Sequence, residues 1–298
     1  MGVLSRVFSA AVPIGALTTA YLYRDDLAQD GLHGVTAPFR QAYASYTHPS
    51  LNEATNEFFD AHFPRGKWIT NWDQRDPLSL VDEAKYAKAT DEEKVKMMES
   101  VKAKATRNII LIRHGQYNME AEPYALTALG REQAEVVGRR LSGLCEVEKF
   151  TAVTMSTMTR ATETAQIILG LLPSSVPSRS DSILEEGCPY PNEPETGHWR
   201  PHNRKFFSEG ARIEAAFRKY IHRAKPDQKK DSTEVIVCHA NVIRYFVCRA
   251  LQFPPEGWLR MSLANCSVTW IVIRPDGRVA IKAVGDHGHM PLDKVSFS

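Results

Sequence analysis

Arg113, His114 and Gly115 stand directly after the apolar run at residues 108–112. Three further groups sit just past short apolar stretches: Arg160 after Met155, Glu186 after Leu184, and His239 after Cys238. Together these residues can transfer a phosphoryl group. A neutral imidazole is a good nitrogen nucleophile, which suits His114. Arg113 and Arg160 can bind phosphoryl oxygens and stabilise charge on the transferring group. Their positive field also disfavours protonation of His114 and keeps it reactive near neutral pH. His239 is a further donor to the oxygens. Glu186 is the candidate proton donor to a leaving alkoxide and then the base for water, a role worth roughly 10²- to 10⁴-fold. No metal or other cofactor is called for, because the arginines carry the charge work. A strand-end histidine alone is more often structural. The company of Arg113, Arg160, Glu186 and His239 reverses that reading for His114. Glu185 competes for the acid role, and the spacing from Leu184 favours Glu186. Ser156 and Thr157 read as loop hydrogen-bonders, and Asn118 as a possible substrate contact. His287 and His289 lack further ligands nearby and read as tail residues rather than a metal pair.

The elements that must hold these groups alternate. Residues 108–112 read as a central parallel strand with both faces buried. Helix signals follow at 126–144, a strand at 152–155, a helix at 159–171 and a short strand near 178–184. A helix at 212–224, a strand at 234–238 and a helix at 241–251 come next. Residues 267–273 and 278–284 form a hairpin around Asp276-Gly277. The expected class is α/β: a three-layer sandwich whose central sheet is mostly parallel, with an antiparallel edge strand from the final hairpin. In such sheets ligands bind beyond the carboxyl ends of the strands, where the four groups lie. Ahead of the sheet, Thr90 and Glu93 have capping-box spacing. Val95, Met98, Val101 and Ala105 predict a helix with one apolar stripe over 90–107.

The chain has 298 residues, 43% hydrophobic and 24% charged, which suits a folded core and excludes a chain disordered throughout. A formal charge of +2 argues against a nucleic-acid binder. Five cysteines without a CxxC pair make a disulfide framework or a structural zinc site unlikely candidates and suit buried thiols. Residues 7–23 carry no charge and approach the length of a membrane span. Residues 1–24 are read as an anchor or targeting segment, with a retained anchor favoured over a cleaved secretory or mitochondrial signal. Residues 25–89 read as a linker arm and 90–298 as the catalytic domain with its tail. Within the arm, Trp68 and Trp72 stand in a polar stretch with Asn71 and Asp73. Two tryptophans there point to packing on the chain's own domain or to docking on another subunit.

LIRHG at 111–115, STMTRATETA at 156–165, LEEG at 184–187 and CHANVIR at 238–244 occur in the order and spacing of the histidine phosphatase (phosphoglycerate mutase-like) superfamily, which this chain resembles over about residues 107–285. The amino-terminal apolar segment, the WxxNWD of 68–73, ALQFPPEGWLR at 250–260 and GDHGHMPLDK at 285–294 extend the resemblance to a mitochondrial serine/threonine phosphatase branch. It implies a phosphohistidine intermediate on His114, with Arg113, Arg160, His239 and Glu186 in the site. It further implies phosphoprotein substrates, attachment to a mitochondrial membrane (outer or inner unspecified), and homo-oligomers built through Trp68, Asn71, Trp72 and Asp73. Roles in stress and cell-death signalling and in mitochondrial dynamics follow from the same likeness. Two departures stand out. Ile69 replaces an acid of the docking motif, and an ESGE stretch used by the branch to recruit a ubiquitin-ligase adaptor is missing. Gln116 and Tyr117 replace the acid and small hydroxyl residue of the mutases, which disfavours a small-molecule mutase. A small-molecule phosphatase or a membrane scaffold are the remaining alternatives.

Overall fold

The computed structural model describes residues 68–197 and 200–297. Six strands form one sheet: β1 (Arg107–Arg113), β2 (Phe150–Met155), β3 (Ser178–Ser180), β4 (Ser232–Cys238), β5 (Val268–Ile273) and β6 (Val279–Asp286). The helices are α1 (Pro77–Leu80), α2 (Glu83–Lys88), α3 (Asp91–Val101), α4 (Ala128–Val147), α5 (Thr159–Leu169), α6 (Asn203–Tyr220) and α7 (Ala240–Ala250). Sheet order is β3-β2-β4-β1-β5-β6.

All seven residues of β1 are buried, and its alternating side chains split between two cores. Ile109 and Leu111 join Ile213 and Phe217 of α6 and Val242 and Phe246 of α7 on one face. Ile110 and Ile112 join Ala134, Val137 and Leu141 of α4 and Ala165 and Ile168 of α5 on the other. A strand covered on both faces cannot alternate polar and apolar residues, which is why this stretch reads as continuous hydrophobe. The three-layer arrangement therefore agrees with the expectation.

The antiparallel strand does not lie where it was expected. β5 pairs antiparallel with β1, and β6 pairs antiparallel with β5. β6 is thus the edge and runs parallel to β1, while the one antiparallel strand sits inside the sheet. The reason is burial: Val268, Ile271, Val272 and Ile273 of β5 are all buried, whereas β6 is mostly part-exposed. The turn between them is the expected one, with Gly277 at φ +86° and its N–H donating to Arg274 O at 3.0 Å.

Other boundaries moved for local reasons. β3 stops at Ser180 because the Asp181 carboxylate accepts from Ile183 N at 3.3 Å and caps a 3₁₀ turn, Ser182–Leu184. α6 starts nine residues before the expected position, at Asn203, with His202 Nδ1 accepting from Arg204 N at 3.2 Å. The capping box of Thr90 and Glu93 forms as read. Its helix ends at Val101, however, and the expected stripe is buried unevenly: Val95 is 68% exposed and Met98 and Val101 are half-buried. Ala105, the last residue of that stripe, is buried with Ala103 in the stretch after the helix, beside Ala224. All five cysteines are free thiols.

Residues 68–89, read as linker, fold with the rest of the compact unit Trp68–Ser298. Among the described residues no helix is long and apolar enough to cross a membrane. The anchor expected at 7–23 lies outside the described residues.

Candidate active site

β1 and β4 are parallel neighbours with Arg113 opposite Cys238, so the residues that follow each strand, His114 and His239, emerge side by side. Their ring centroids are 5.1 Å apart. Arg160 lies in the first turn of α5, directly after β2. Glu186 follows the 3₁₀ turn beyond β3. One ligand atom each from His114, Glu186 and His239 all lie within 4.8 Å of one another. The sheet order therefore converts four separated sequence motifs into one cluster at the carboxyl edge.

The loop that carries His114 is held at backbone contact. A Cβ on Gly115 would lie 2.5 Å from Gly130 O, and one on Gly130 would lie 1.9 Å from Gln116 O. Gly115 N donates to Thr164 Oγ1 at 3.0 Å, and Gln116 N to Gln133 Oε1 at 2.8 Å. The His114 carbonyl accepts from Asn265 Nδ2 at 3.2 Å.

His114 Nδ1 faces the Gly115 carbonyl at 2.8 Å, and a carbonyl can only accept. The proton of the neutral ring therefore belongs on Nδ1, and Nε2 keeps its lone pair. Arg160 Nε donates to that Nε2 at 3.2 Å, so the lone pair points into the guanidinium. Burial, then the charges of Arg113 and Arg160, hold His114 well below the usual imidazole value of 6.5. The His114 ring is neutral at pH 7.

His239 Nε2 lies 2.8 Å from Ser156 Oγ. That oxygen also accepts from Met158 N at 3.3 Å, and a hydroxyl that donates to the ring makes Nε2 the acceptor. The ring proton then sits on Nδ1, a buried atom without a hydrogen-bond partner. Such a donor is costly unless something accepts from it, and a phosphoryl oxygen would. Burial is the main reason His239 lies well below its usual value, with His114 and Arg160 next.

Glu186 has the opposite shift. Burial raises it above its ordinary 4.5, and the guanidiniums of Arg160 and Arg113 and the Asn241 amide only partly offset this. Its Oε1 accepts from Asn241 N, in the first turn of α7, at 3.2 Å. Glu185 instead takes the Thr157 hydroxyl and stays outside the cluster. Geometry thus separates the two candidate acids. Arg113 is buried, donates to Leu263 O at 2.6 Å, and is pushed down to about 10 chiefly by burial.

His114, Glu186 and His239 are also donor types that can hold a metal ion. Two guanidiniums beside them make the cluster an anion site by charge: a dication would meet repulsion that a phosphoryl group would not. His287 and His289 go elsewhere, to the carbonyls of Gly285 and Cys266. Asn118 is exposed and its Oδ1 accepts from Glu120 N at 3.0 Å, a turn contact.

Several residues of the site gave little signal in the sequence. Tyr117 lies under the Arg160 guanidinium at 4.5 Å and meets His114 edge-on at 5.2 Å. Asn241 and Arg244 stand in the CHANVIR motif without an assigned role, and Arg244 Nη1 donates to Asn241 Oδ1 at 3.2 Å. Arg212 lies on α6, far from every motif.

The segment 68–73 divides. Trp72 packs on the α6 core, 6.0 Å from Phe217 by ring centroids, and donates to Gly277 O at 2.8 Å. Asp73 pairs with Arg223 at 2.6 Å with side chains 1% and 3% exposed. Asn71 bonds Ser79 Oγ and Asp76 N, at 2.7 and 2.9 Å. Trp68 stays 40% exposed.

The sequence pattern of the histidine phosphatase superfamily (branch 1) matches residues 109–286. The mitochondrial serine/threonine-protein phosphatase Pgam5 of Caenorhabditis briggsae is 57% identical over 97% of this chain and 96% of its own. That of Caenorhabditis elegans is 53% identical over 99% and 100%. The human protein of that name is 52% identical over 78% and 81%. Among solved structures, a phosphoglycerate mutase from Plasmodium falciparum is 32% identical over 65% of this chain and 99% of its own, with a TM-score of 0.46. The chain belongs to the histidine phosphatase superfamily, in the group of the Pgam5 proteins.

Proposed function

We propose that this chain is a mitochondrial serine/threonine protein phosphatase that works through phosphohistidine on His114. The observation that carries the reading is the fixed tautomer of His114: Nδ1 is committed to Gly115 O, and Nε2 faces Arg160. Nε2 attacks phosphorus, the bond to the seryl or threonyl oxygen breaks, and Glu186 gives that oxygen its proton. Water then attacks the phosphohistidine. Glu186 takes a proton from the water, the P–N bond breaks, and inorganic phosphate leaves with His114 neutral again. Arg113, Arg160 and His239 Nδ1 hold the three phosphoryl oxygens throughout. Relatives that share more than half of their residues with this chain and carry the serine/threonine phosphatase name support the substrate class. The same relatives support mitochondrial residence.

Membrane attachment through 7–23 and self-association through Trp68, Asn71, Trp72 and Asp73 complete the reading. Because Trp72 and Asp73 close on their own domain here, assembly takes the form of exchange: the arm of one copy closes on Phe217, Arg223 and Gly277 of the next.

The test is labelling with a ³²P-phosphoserine peptide. Acid-labile, base-stable label should accumulate on the protein and vanish in His114→Ala. Label that persists in that variant, or turnover of phosphoglycerates but not phosphopeptides, overturns the reading.

A further inference from the structure

The acid Glu186 does not lie on a strand or helix. It lies in a short connection, 185–188, whose peptide groups would be free to move without outside partners. α6 supplies those partners. The Arg212 guanidinium donates to three carbonyls of the approach: Ile183 at 3.0 Å, Glu185 at 2.6 Å and Glu186 itself at 2.9 Å. One turn earlier on α6, Glu209 Oε2 accepts from Cys188 N at 2.7 Å. From the other side, Asn241 Nδ2 donates to Gly187 O at 3.0 Å. A Cβ on Gly187 would lie 2.9 Å from both Arg212 Nη2 and Glu209 Oε2, so a side chain after the acid would press on both ends of this bracket.

We propose that Arg212 is the positioning residue for the general acid, fixing Glu186 through its own main chain while touching neither substrate nor phosphate. The proposal rests on Glu186 being the acid. A planar fork with several donors can bind three carbonyls at once, and a lysine ammonium cannot reproduce that geometry. α6 packs through Ile213 and Phe217 on the core that includes Leu184. The carboxyl is therefore referred to the sheet by a rigid helix, as a group that must reach a leaving oxygen within a few tenths of an ångström requires. Arg212 also adds positive charge at His239, where it contributes to the lowered value of that ring.

A misplaced acid has a signature that general loosening lacks. Expulsion of a seryl alkoxide needs a proton, whereas expulsion of p-nitrophenolate, a weak base, does not. kcat and KM should be measured on a phosphoserine peptide and on p-nitrophenyl phosphate for the full chain, Arg212→Lys, Glu186→Gln and the double variant. Arg212→Lys keeps the charge and loses the fork. Its kcat on the peptide should fall by about tenfold or more with KM little changed, and its kcat on the aryl ester by less than about threefold. The double variant should be no slower than Glu186→Gln, since both changes disable one group. Equal losses on the two substrates, no loss, or additive losses in the double variant overturn the inference. Glu186→Gln without substrate discrimination overturns the acid assignment itself, which is a different result. Should Arg212→Lys fail to fold, Asn241→Ala removes the bond to Gly187 O and must show the same discrimination between substrates.

Discussion

Replacing Asp73 by alanine should lift the segment that carries it while leaving the domain folded. Asp73 accepts from Arg223 four times: from Nη2 at 2.6 Å, from Nε at 3.1 Å to each oxygen, and from the backbone N at 2.7 Å. A buried guanidinium stripped of its partner costs about 3–5 kcal/mol. The segment is also held by Trp72, by Ile69, whose backbone N and O bond the Gln252 amide at 2.9 and 3.0 Å, and by the Thr70 carbonyl, which accepts from Arg223 Nη2 at 3.3 Å. The half-buried indole of Trp72 contributes about 2 kcal/mol by burial, and its bond to Gly277 O about 1 kcal/mol. The penalty matches or exceeds what Trp72 supplies, so the segment around Asp73 loosens and Arg223 meets water. The reporter is the Arg223 amide. Its hydrogen exchange should accelerate by about 10²-fold, the equivalent of roughly 3 kcal/mol. Melting of the core should change far less, and Asp73→Asn should fall between. Acid should do the same to the unmodified chain. Burial alone would raise the Asp73 carboxyl, but hydrogen bonds and charge from Arg223 outweigh it and hold it below its ordinary 3.8. A carboxyl lowered on folding stabilises fully above its unfolded value and loses that contribution as pH falls through the folded one. Protection should therefore persist down to about pH 4 and collapse below it. Unchanged exchange at Arg223 in Asp73→Ala would refute the clasp, and protection that weakens on dilution would mark exchange of arms between copies.

Activity should keep its acid limb well under pH 6.5, because His114 lies well below that value, and alkyl phosphates should show an alkaline limb as Glu186, raised above 4.5, loses its proton. Stopped-time assays across pH on the chain and on Glu186→Gln check both, and an acid limb at or above 6.5 contradicts the buried, cation-flanked imidazole. Gly130→Ala places a Cβ 1.9 Å from Gln116 O, which no side-chain adjustment relieves. Overpacking of this kind costs about 3 kcal/mol, or roughly 6–12 °C in Tm by calorimetry, with kcat reduced because the His114 loop is what must move.

The layers of the fold were legible because β1 and the helices on its two faces carry their burial in their residue types. Strands 108–112 and 234–238 are apolar on both faces, and Thr90 with Glu93 names its own helix start. Strand order carried no such local mark. Whether the last hairpin meets β1 by its first or second strand depends on which of the two is buried twice over, and that comparison decided against the edge position for the antiparallel strand. The chemistry was legible where it sits at strand ends. His114, Arg160, Glu186 and His239 each follow an apolar run, and the sheet brings them together. Arg212 was not, because an arginine that donates to main-chain carbonyls looks in sequence like any solvated helix arginine. Tyr117 was noted only as a departure from the mutases. Its place under Arg160 depends on a loop turning back against Gly130, which spacing does not encode. The two roles open for Trp72 could not be separated either, since packing at home and docking abroad ask for the same aromatic.

Burial acts on His114 and Glu186 in opposite directions. It drives His114 down and Glu186 up, so at pH 7 the nucleophile has a lone pair and the acid can hold a proton. The guanidiniums of Arg113 and Arg160 lie beside them. A neutral imidazole and two guanidiniums suit an anionic phosphoryl group bound in the middle, and an upward-shifted carboxyl repels it less than an ordinary one would. The cost is that a proton must return to Glu186 after each transfer. The carboxyl can receive it from the attacking water only if it stays within reach of the phosphohistidine, and its own side chain accepts from the main-chain N–H groups of Asn241 and Gly187. Both donors are main-chain groups, so placement of the carboxyl falls on the peptide groups around it and on what holds them.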